Sequence, residues 1–134
     1  MPLSAGQTFL YPLKDGYREH LWIIATDPDE SGFVAVVNIT SLRGSKDQTI
    51  VIRRGEHPFV QWDSCVYYLM AEIKSESDIQ AHFDCGEAQV RDSLTPALLE
   101  DVVAGFAASD FTRERVRNYV RASRENARNA KTGD

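Results

Sequence analysis

The 134-residue chain has few cysteines and none of the spacings in which cysteines usually act together. Its two cysteines, Cys65 and Cys85, do not form a CxxC pair. Two are too few for a disulfide scaffold or a structural zinc site, and free thiols are the norm in reducing compartments. The sequence therefore predicts a cytoplasmic protein in which both cysteines pack as small apolar residues.

Long apolar runs are absent as well. The longest run is far too short to cross a bilayer. Residues 1–16 also lack the basic stretch followed by an apolar stretch that marks a signal peptide. We therefore expect neither a membrane span nor a cleaved leader.

The signature motifs of several enzyme classes are missing too. The sequence has no P-loop, no GxGxxG and no GxSxG, which argues against nucleotide cofactors and serine hydrolase chemistry. Its three histidines, His20, His57 and His82, form no HxH or HExxH spacing. A metal site built from them, Cys85 and nearby acids can be imagined, but no pair has ligand spacing, so we expect no metal and no other cofactor.

Charge is unevenly distributed along the chain, whose net charge is −5. Residues 1–108 contain 8 basic and 16 acidic side chains, a net charge of −8, whereas residues 109–134 contain 7 and 4, a net charge of +3. The acidic part should not attract nucleic acid non-specifically. We predict a single barrel domain over residues 1–108 and an Arg-rich helical extension over residues 109–134.

The N-terminal two thirds of the chain is strand-like. Six segments rich in β-branched and aromatic residues predict short strands, and an Asp-Pro…Gly turn between the second and third predicts an antiparallel hairpin. The predicted strands lie within residues 6–12, 20–26, 33–39, 49–53, 64–73 and 86–92, with polar loops at 42–48 and 74–78.

Helical spacing takes over in the C-terminal part. Thr95-Pro96 is a typical helix start, because a hydroxyl N-cap precedes Pro at the first helical position. Apolar residues then recur at helical spacing as far as Phe106, although Gly105 should weaken the helix near its end. A second, Arg-rich helix is expected over residues 112–129, where the arginines either contact RNA or an acidic partner or neutralise the acidic body of the same chain.

Short strands followed by terminal helices predict a mainly β (α+β) fold. The expected architecture is a small, SH3-like, curled antiparallel barrel of five to six strands with one or two C-terminal helices.

Side chains able to catalyse or to recognise a ligand are densest between residues 53 and 68. Gly55 is followed there by Glu56 and His57, which could form an acid–base pair or simply shape a loop. Aromatic residues follow it, and these could stack on RNA bases or pack in the core or a dimer interface. The residues are Arg53, Arg54, Glu56, His57, Phe59, Trp62, Tyr67 and Tyr68.

The order of these features resembles the PemK/MazF-like toxin family, an SH3-like barrel found in bacterial toxin–antitoxin systems. Four segments within residues 6–108 carry the resemblance. They are Gly6 at the first strand, HLWIIAT at 20–26, VNITS at 37–41, and the short strand and Leu-rich helix of 86–106.

The resemblance implies an endoribonuclease that cleaves single-stranded RNA without a metal, works as a homodimer and is inhibited by an antitoxin protein. Two key groups of the family are an Arg at the start of the second strand and a Thr or Ser at the end of the third. They fall here on His20, in place of the Arg, and on Thr40 or Ser41. Leu21 stands where the family has Pro, and Gln7 where it often has Asp.

Metal-free RNA cleavage needs a base for the 2′-OH proton, a cation for the phosphate oxygens and an acid for the 5′ oxygen. His20 could be the base or the acid, since histidine titrates near neutral pH. Thr40 and Ser41 could donate hydrogen bonds to the phosphate, and Arg53 or Arg54 could stabilise the developing charge. Glu56, His57 and Trp62 are expected to assist catalysis or RNA binding.

A second hypothesis remains open beside the nuclease. In it the chain is a non-catalytic SH3-like barrel that binds a protein partner through Phe59, Trp62 and the Arg-rich helix, and His20 is a strand-edge residue bonded to a carbonyl.

Overall fold

The computed structural model describes residues 3–12 and 19–132 and shows six strands and three helices in them. The strands are β1 Thr8–Pro12, β2 Glu19–Ile24, β3 Phe33–Ser41, β4 Val51–Ile52, β5 Ser64–Ser75 and β6 Gln89–Arg91; the helices are α1 Glu76–Asp84, α2 Pro96–Ala108 and α3 Glu114–Thr132.

The six strands form one antiparallel sheet with the order β4-β5-β3-β2-β1-β6, which curls into a half-barrel. The predicted fold class, a mainly β fold with a curled antiparallel sheet and helices at its C-terminal end, is confirmed. The predicted hairpin is confirmed as well, because β2 pairs with β3 with Trp22 opposite Asn38. No helix in the described part of the chain is both long and apolar enough to cross a lipid bilayer.

Both faces of the sheet are covered, which explains why β2 is apolar almost throughout. Side chains alternate between the two faces of a strand. Leu21 and Ile23 therefore join the larger core beneath α2 and α3, whereas Trp22 and Ile24 join the smaller core beneath α1.

Helix α1 corrects the sequence-based expectation of a polar loop at residues 74–78. The strand β5 continues to Ser75, whose Oγ accepts a hydrogen bond from the backbone N–H of Asp78 at 3.0 Å and so caps α1. Ile79 is the only fully buried residue of this helix. A helix with a single buried side chain shows almost no periodic pattern of apolar residues, and this is why the expectation of a polar loop was wrong.

The start of α2 is confirmed, because the Thr95 Oγ1 accepts the Leu98 N–H at 3.3 Å. Gly105 lies where a Cβ would approach the Tyr68 Oη to 1.9 Å. Tyr68 is fully buried, and its hydroxyl donates to the Val102 carbonyl at 2.7 Å. Glycine thus lowers the helix propensity here but permits close packing of α2 on the sheet.

Helix α3 binds the rest of the chain through both its apolar and its basic side chains. Val116 and Val120 enter the larger core. Arg117 donates to the carbonyls of Ser109 and Thr112 beyond the end of α2. Arg124 of α3 binds Glu100, and Arg113, just before α3, donates to the Ala71 carbonyl. These contacts favour the interpretation in which the arginines act within the chain.

Candidate functional site

The hairpin of β2 and β3 brings together the residues on which the PemK/MazF-like resemblance rests. Strand β2 pairs with β3 from Trp22–Asn38 to Ile24–Val36, and His20 and Thr40 lie beyond the Trp22–Asn38 end of this ladder. At the same end of the sheet, Ser41 pairs with Ser64 of β5. A depression of about 350 Å³ lies there, lined by the start of β2, the end of β3 and the loop before β5.

A second, more open depression continues from the first. Ser41 and Trp62 line both, so the two form one continuous surface, which we call the groove. Arg43 and Gln48 border its second part. The residues of the first part are Glu19, His20, Leu21, Ile39, Thr40, Ser41, Phe59, Val60, Gln61, Trp62 and Ser64.

Strand alternation divides the predicted catalytic residues between two directions. Leu21 and Ile39 belong to the larger core, so Ser41 and Glu19 share their face of the sheet. His20 and Thr40, both half-buried, share the opposite face with Trp22. All three predicted residues line the groove at the rim, where the strands end, and they approach it from opposite faces of the sheet.

Two exposed aromatic side chains form the other wall. Trp62 is 67% exposed and Phe59 is 40% exposed. Val60 between them is buried, and its N–H donates to the His57 carbonyl at 2.9 Å while its carbonyl accepts the Gly55 N–H at 3.1 Å. Because Val60 anchors the loop in the core, its two aromatic neighbours are held on the surface.

The basic and acidic residues at the start of this loop bind one another. The Arg53 guanidinium lies 3.0 Å from the Asp63 carboxylate, and the other carboxylate oxygen accepts the Arg54 N–H at 3.0 Å. Glu56 accepts the Arg53 N–H at 2.6 Å. The Arg54 N–H, and after it the Arg53 side chain, lower the pKa of Asp63 below its usual value. Arg53, Arg54 and Glu56 thus close the loop and do not line the groove.

His57 is buried, with 2% of its surface exposed, and both ring nitrogens have partners. Its Nδ1 accepts the Phe59 N–H at 3.0 Å, so the ring proton is on Nε2, which donates to the Asp92 carbonyl at 2.6 Å. The Thr8 hydroxyl donates to the same carbonyl at 2.6 Å. This neutral ring ties the loop to the chain beyond β6 and does not line the groove.

The groove contains functional groups that the sequence did not indicate. Glu19 lies beside His20 and adds a second titratable side chain, and Arg43 adds a cation next to Ser41. The turn after β3 places Arg43, whose N–H donates to the Ser41 Oγ at 3.3 Å. The groove therefore offers aromatic faces, hydroxyls, the Arg43 cation and three acid–base side chains, Glu19, His20 and Asp63.

Comparisons of the chain with protein-family models, with curated proteins and with solved structures found no match.

Proposed function

We propose that the groove binds single-stranded RNA and cleaves it without a metal ion, in the manner of a PemK/MazF-like toxin. The observation that supports the proposal is that His20, Thr40 and Ser41 all line one depression walled by Trp62 and Phe59. Exposed aromatic rings beside a cation suit single-stranded RNA, whose bases are free to stack. Because residues 1–108 carry a net charge of −8, we expect RNA to be attracted only to this local surface and not to the rest of the protein.

In the proposed reaction the 2′-oxygen of one nucleotide attacks the adjacent phosphorus and the bond from phosphorus to the 5′ oxygen breaks. One titratable group of the rim takes the 2′ proton and another returns a proton to the 5′ oxygen. His20 and Glu19 are the two titratable groups available at the rim. Thr40 and Ser41 donate hydrogen bonds to the phosphate, and the products are a 2′,3′-cyclic phosphate and a 5′-hydroxyl.

The test is incubation of an end-labelled single-stranded RNA with the purified protein in EDTA. We expect fragments that carry a cyclic phosphate, and a rate lowered by about 10²–10⁴-fold in His20→Ala. Thr40→Ala should also slow cleavage. An all-deoxy oligonucleotide of the same sequence is the matched control and should stay intact, because it has no 2′-OH. Cleavage of the deoxy control, or full activity in both variants, would contradict this mechanism.

A binding module without catalysis is the second candidate, and strand alternation favours it. His20 and Thr40 point to the face opposite Ser41, and Arg53 is already held by Asp63. In this alternative the exposed Trp62 and Phe59 anchor a protein partner, since exposed aromatic residues are frequent hot spots of interfaces. The same experiment separates the candidates, because a protein-binding module leaves the RNA intact.

The remaining expectations from the resemblance, a homodimer and an antitoxin partner, are part of the proposal. A toxin of this kind should arrest bacterial growth when it is expressed alone. Growth should be restored by Trp62→Ala if the groove is the site of action.

A further inference from the structure

We propose that His82, Cys85 and Glu87 form a zinc site at the end of α1. The Nδ1 of His82 lies 3.3 Å from the Glu87 Oε1, and the Cys85 Sγ lies 2.9 Å from the same oxygen. The three atoms are all within 4.8 Å of one another, and this is the one such cluster of His, Cys and acidic side chains in the described residues. The inference does not depend on the RNA proposal.

The backbone explains why these side chains meet. His82 and Cys85 are three residues apart at the end of α1, so both face the same side of its last turn. Gly86 has a φ of +84° and turns the chain back, which returns Glu87 to that side. The turn is closed by hydrogen bonds from the N–H groups of Cys85, Gly86 and Ala88 to carbonyls of α1.

The turn is held on both sides. Ala88 is buried, and β6 begins at the next residue. The His82 ring packs against Tyr11 of β1, with ring centroids 4.7 Å apart. The site is therefore preorganised, so little conformational entropy is lost when the three side chains bind an ion.

The ligand atoms match zinc in type and spacing. Zn²⁺ is bound by thiolate, imidazole and carboxylate groups at about 2.0–2.3 Å in tetrahedral geometry, which separates ligand atoms by about 3.3–3.8 Å. The contacts in the cluster need to change by no more than about 1 Å to meet that geometry. The negative end of the α1 dipole further favours a cation here. Three protein ligands leave a fourth position for water or a group of a partner.

Binding exchanges a hydrogen bond for metal–ligand bonds. The Cys85 thiol, which donates to Glu87, loses its proton to solvent as the thiolate binds the ion, and His82 binds through Nδ1 as the neutral tautomer that carries its ring proton on Nε2. The Glu87 oxygen that accepts from both neighbours is then free to bind the ion itself. No change of oxidation state occurs, because Zn²⁺ has no redox chemistry in proteins.

The test uses the full chain, treated with chelator and kept reduced, and titrates it with Zn²⁺ by calorimetry. We expect one Zn²⁺ per chain, with affinity lowered at least about tenfold in His82→Ala, Cys85→Ser and Glu87→Gln, since even outer-shell changes cost that much. Asp84→Asn removes an exposed acid from the same turn and is the matched control, which should bind as the wild type does. Circular dichroism of each variant verifies the fold.

Co²⁺ provides a readout specific for the thiolate. The wild-type complex should show sulfur-to-cobalt charge-transfer absorption that Cys85→Ser lacks. The proposal is overturned if the wild type shows no saturable Zn²⁺ binding, if Cys85→Ser binds as tightly as the wild type, or if Asp84→Asn weakens binding as much as Glu87→Gln does.

Discussion

The two halves of the loop between β4 and β5 use their residues in opposite ways. Residues 53–58 together with Asp63, which closes the loop, carry the charged groups and a histidine, and these bond mainly to one another or to the backbone. Residues 59–62 carry two aromatic side chains, which would be expected in a core, and expose both. The polar half maintains the shape of the loop, and the apolar half provides the surface of the groove. A side chain that could catalyse or bind a ligand is thus not necessarily placed at the groove, because a loop also needs polar side chains to bond its own backbone groups.

Replacing His57 should have the largest effect on stability. His57→Ala removes a buried ring, leaves the Phe59 N–H without its acceptor, and leaves the Asp92 carbonyl with the Thr8 hydroxyl as its remaining donor. We expect the free energy of unfolding to fall by about 2–4 kcal/mol. Urea denaturation monitored by circular dichroism measures it.

Trp62→Ala is the control for that experiment. Although its side chain is larger, Trp62 is 67% exposed, and its removal should cost less than about 1 kcal/mol. If Trp62→Ala lost as much stability as His57→Ala or more, the conclusion that one half of the loop maintains its shape and the other provides the groove surface would be wrong.

The order of effects should reverse when RNA binding is measured. Trp62→Ala should weaken the binding of a single-stranded RNA by about 1–3 kcal/mol, the contribution of one stacked base. Fluorescence anisotropy with a labelled oligonucleotide reports the dissociation constant. Phe111→Ala is matched as an exposed aromatic residue between α2 and α3 that does not line the groove, and it should bind like the wild type. Unchanged binding in Trp62→Ala would assign the RNA to another surface.

Most of the fold follows from local sequence pattern, and most of the site does not. The strands and the N-cap at Thr95 are encoded in short segments, and the structure confirms them. Helix α1 has one buried residue, and only the pairing of Ser75 with Asp78, a hydroxyl three residues before an acid, could have indicated its start.

The site depends on which residues the folded chain brings together. The resemblance placed the hydroxyls of Thr40 and Ser41 at the end of β3, and the folded sheet then puts both along one depression with His20. Glu19 lines the groove because the fold brings the start of β2 beside the loop before β5, so its sequence context gave no signal. The expectation that both cysteines pack as small apolar residues is confirmed for Cys65 and wrong for Cys85, whose side chain is exposed at the end of α1. The His82–Cys85–Glu87 cluster was missed because HxxCxE is no standard ligand spacing, and the turn at Gly86 creates it.

The ion pair of the polar half should appear as a small, pH-dependent contribution to stability. Hydrogen bonding to Arg54 and Arg53 holds the pKa of Asp63 below its ordinary value of 3.8. A depressed pKa means that the carboxylate form is favoured by folding, so the contribution is complete above that value and is lost as the pH falls through the lower, folded-state pKa. The stability difference between the wild type and Asp63→Asn should therefore be constant near neutral pH and shrink in acid.

Urea midpoints measured from neutral pH down to about pH 2 test this expectation. Asp84→Asn, which also removes one exposed acid, controls for the general effect of net charge. A difference that grows as the pH falls would contradict the assigned role of Asp63. A difference that shrinks only in Asp63→Asn would show that the charged residues of this loop stabilise its fold, which keeps Phe59 and Trp62 exposed at the groove.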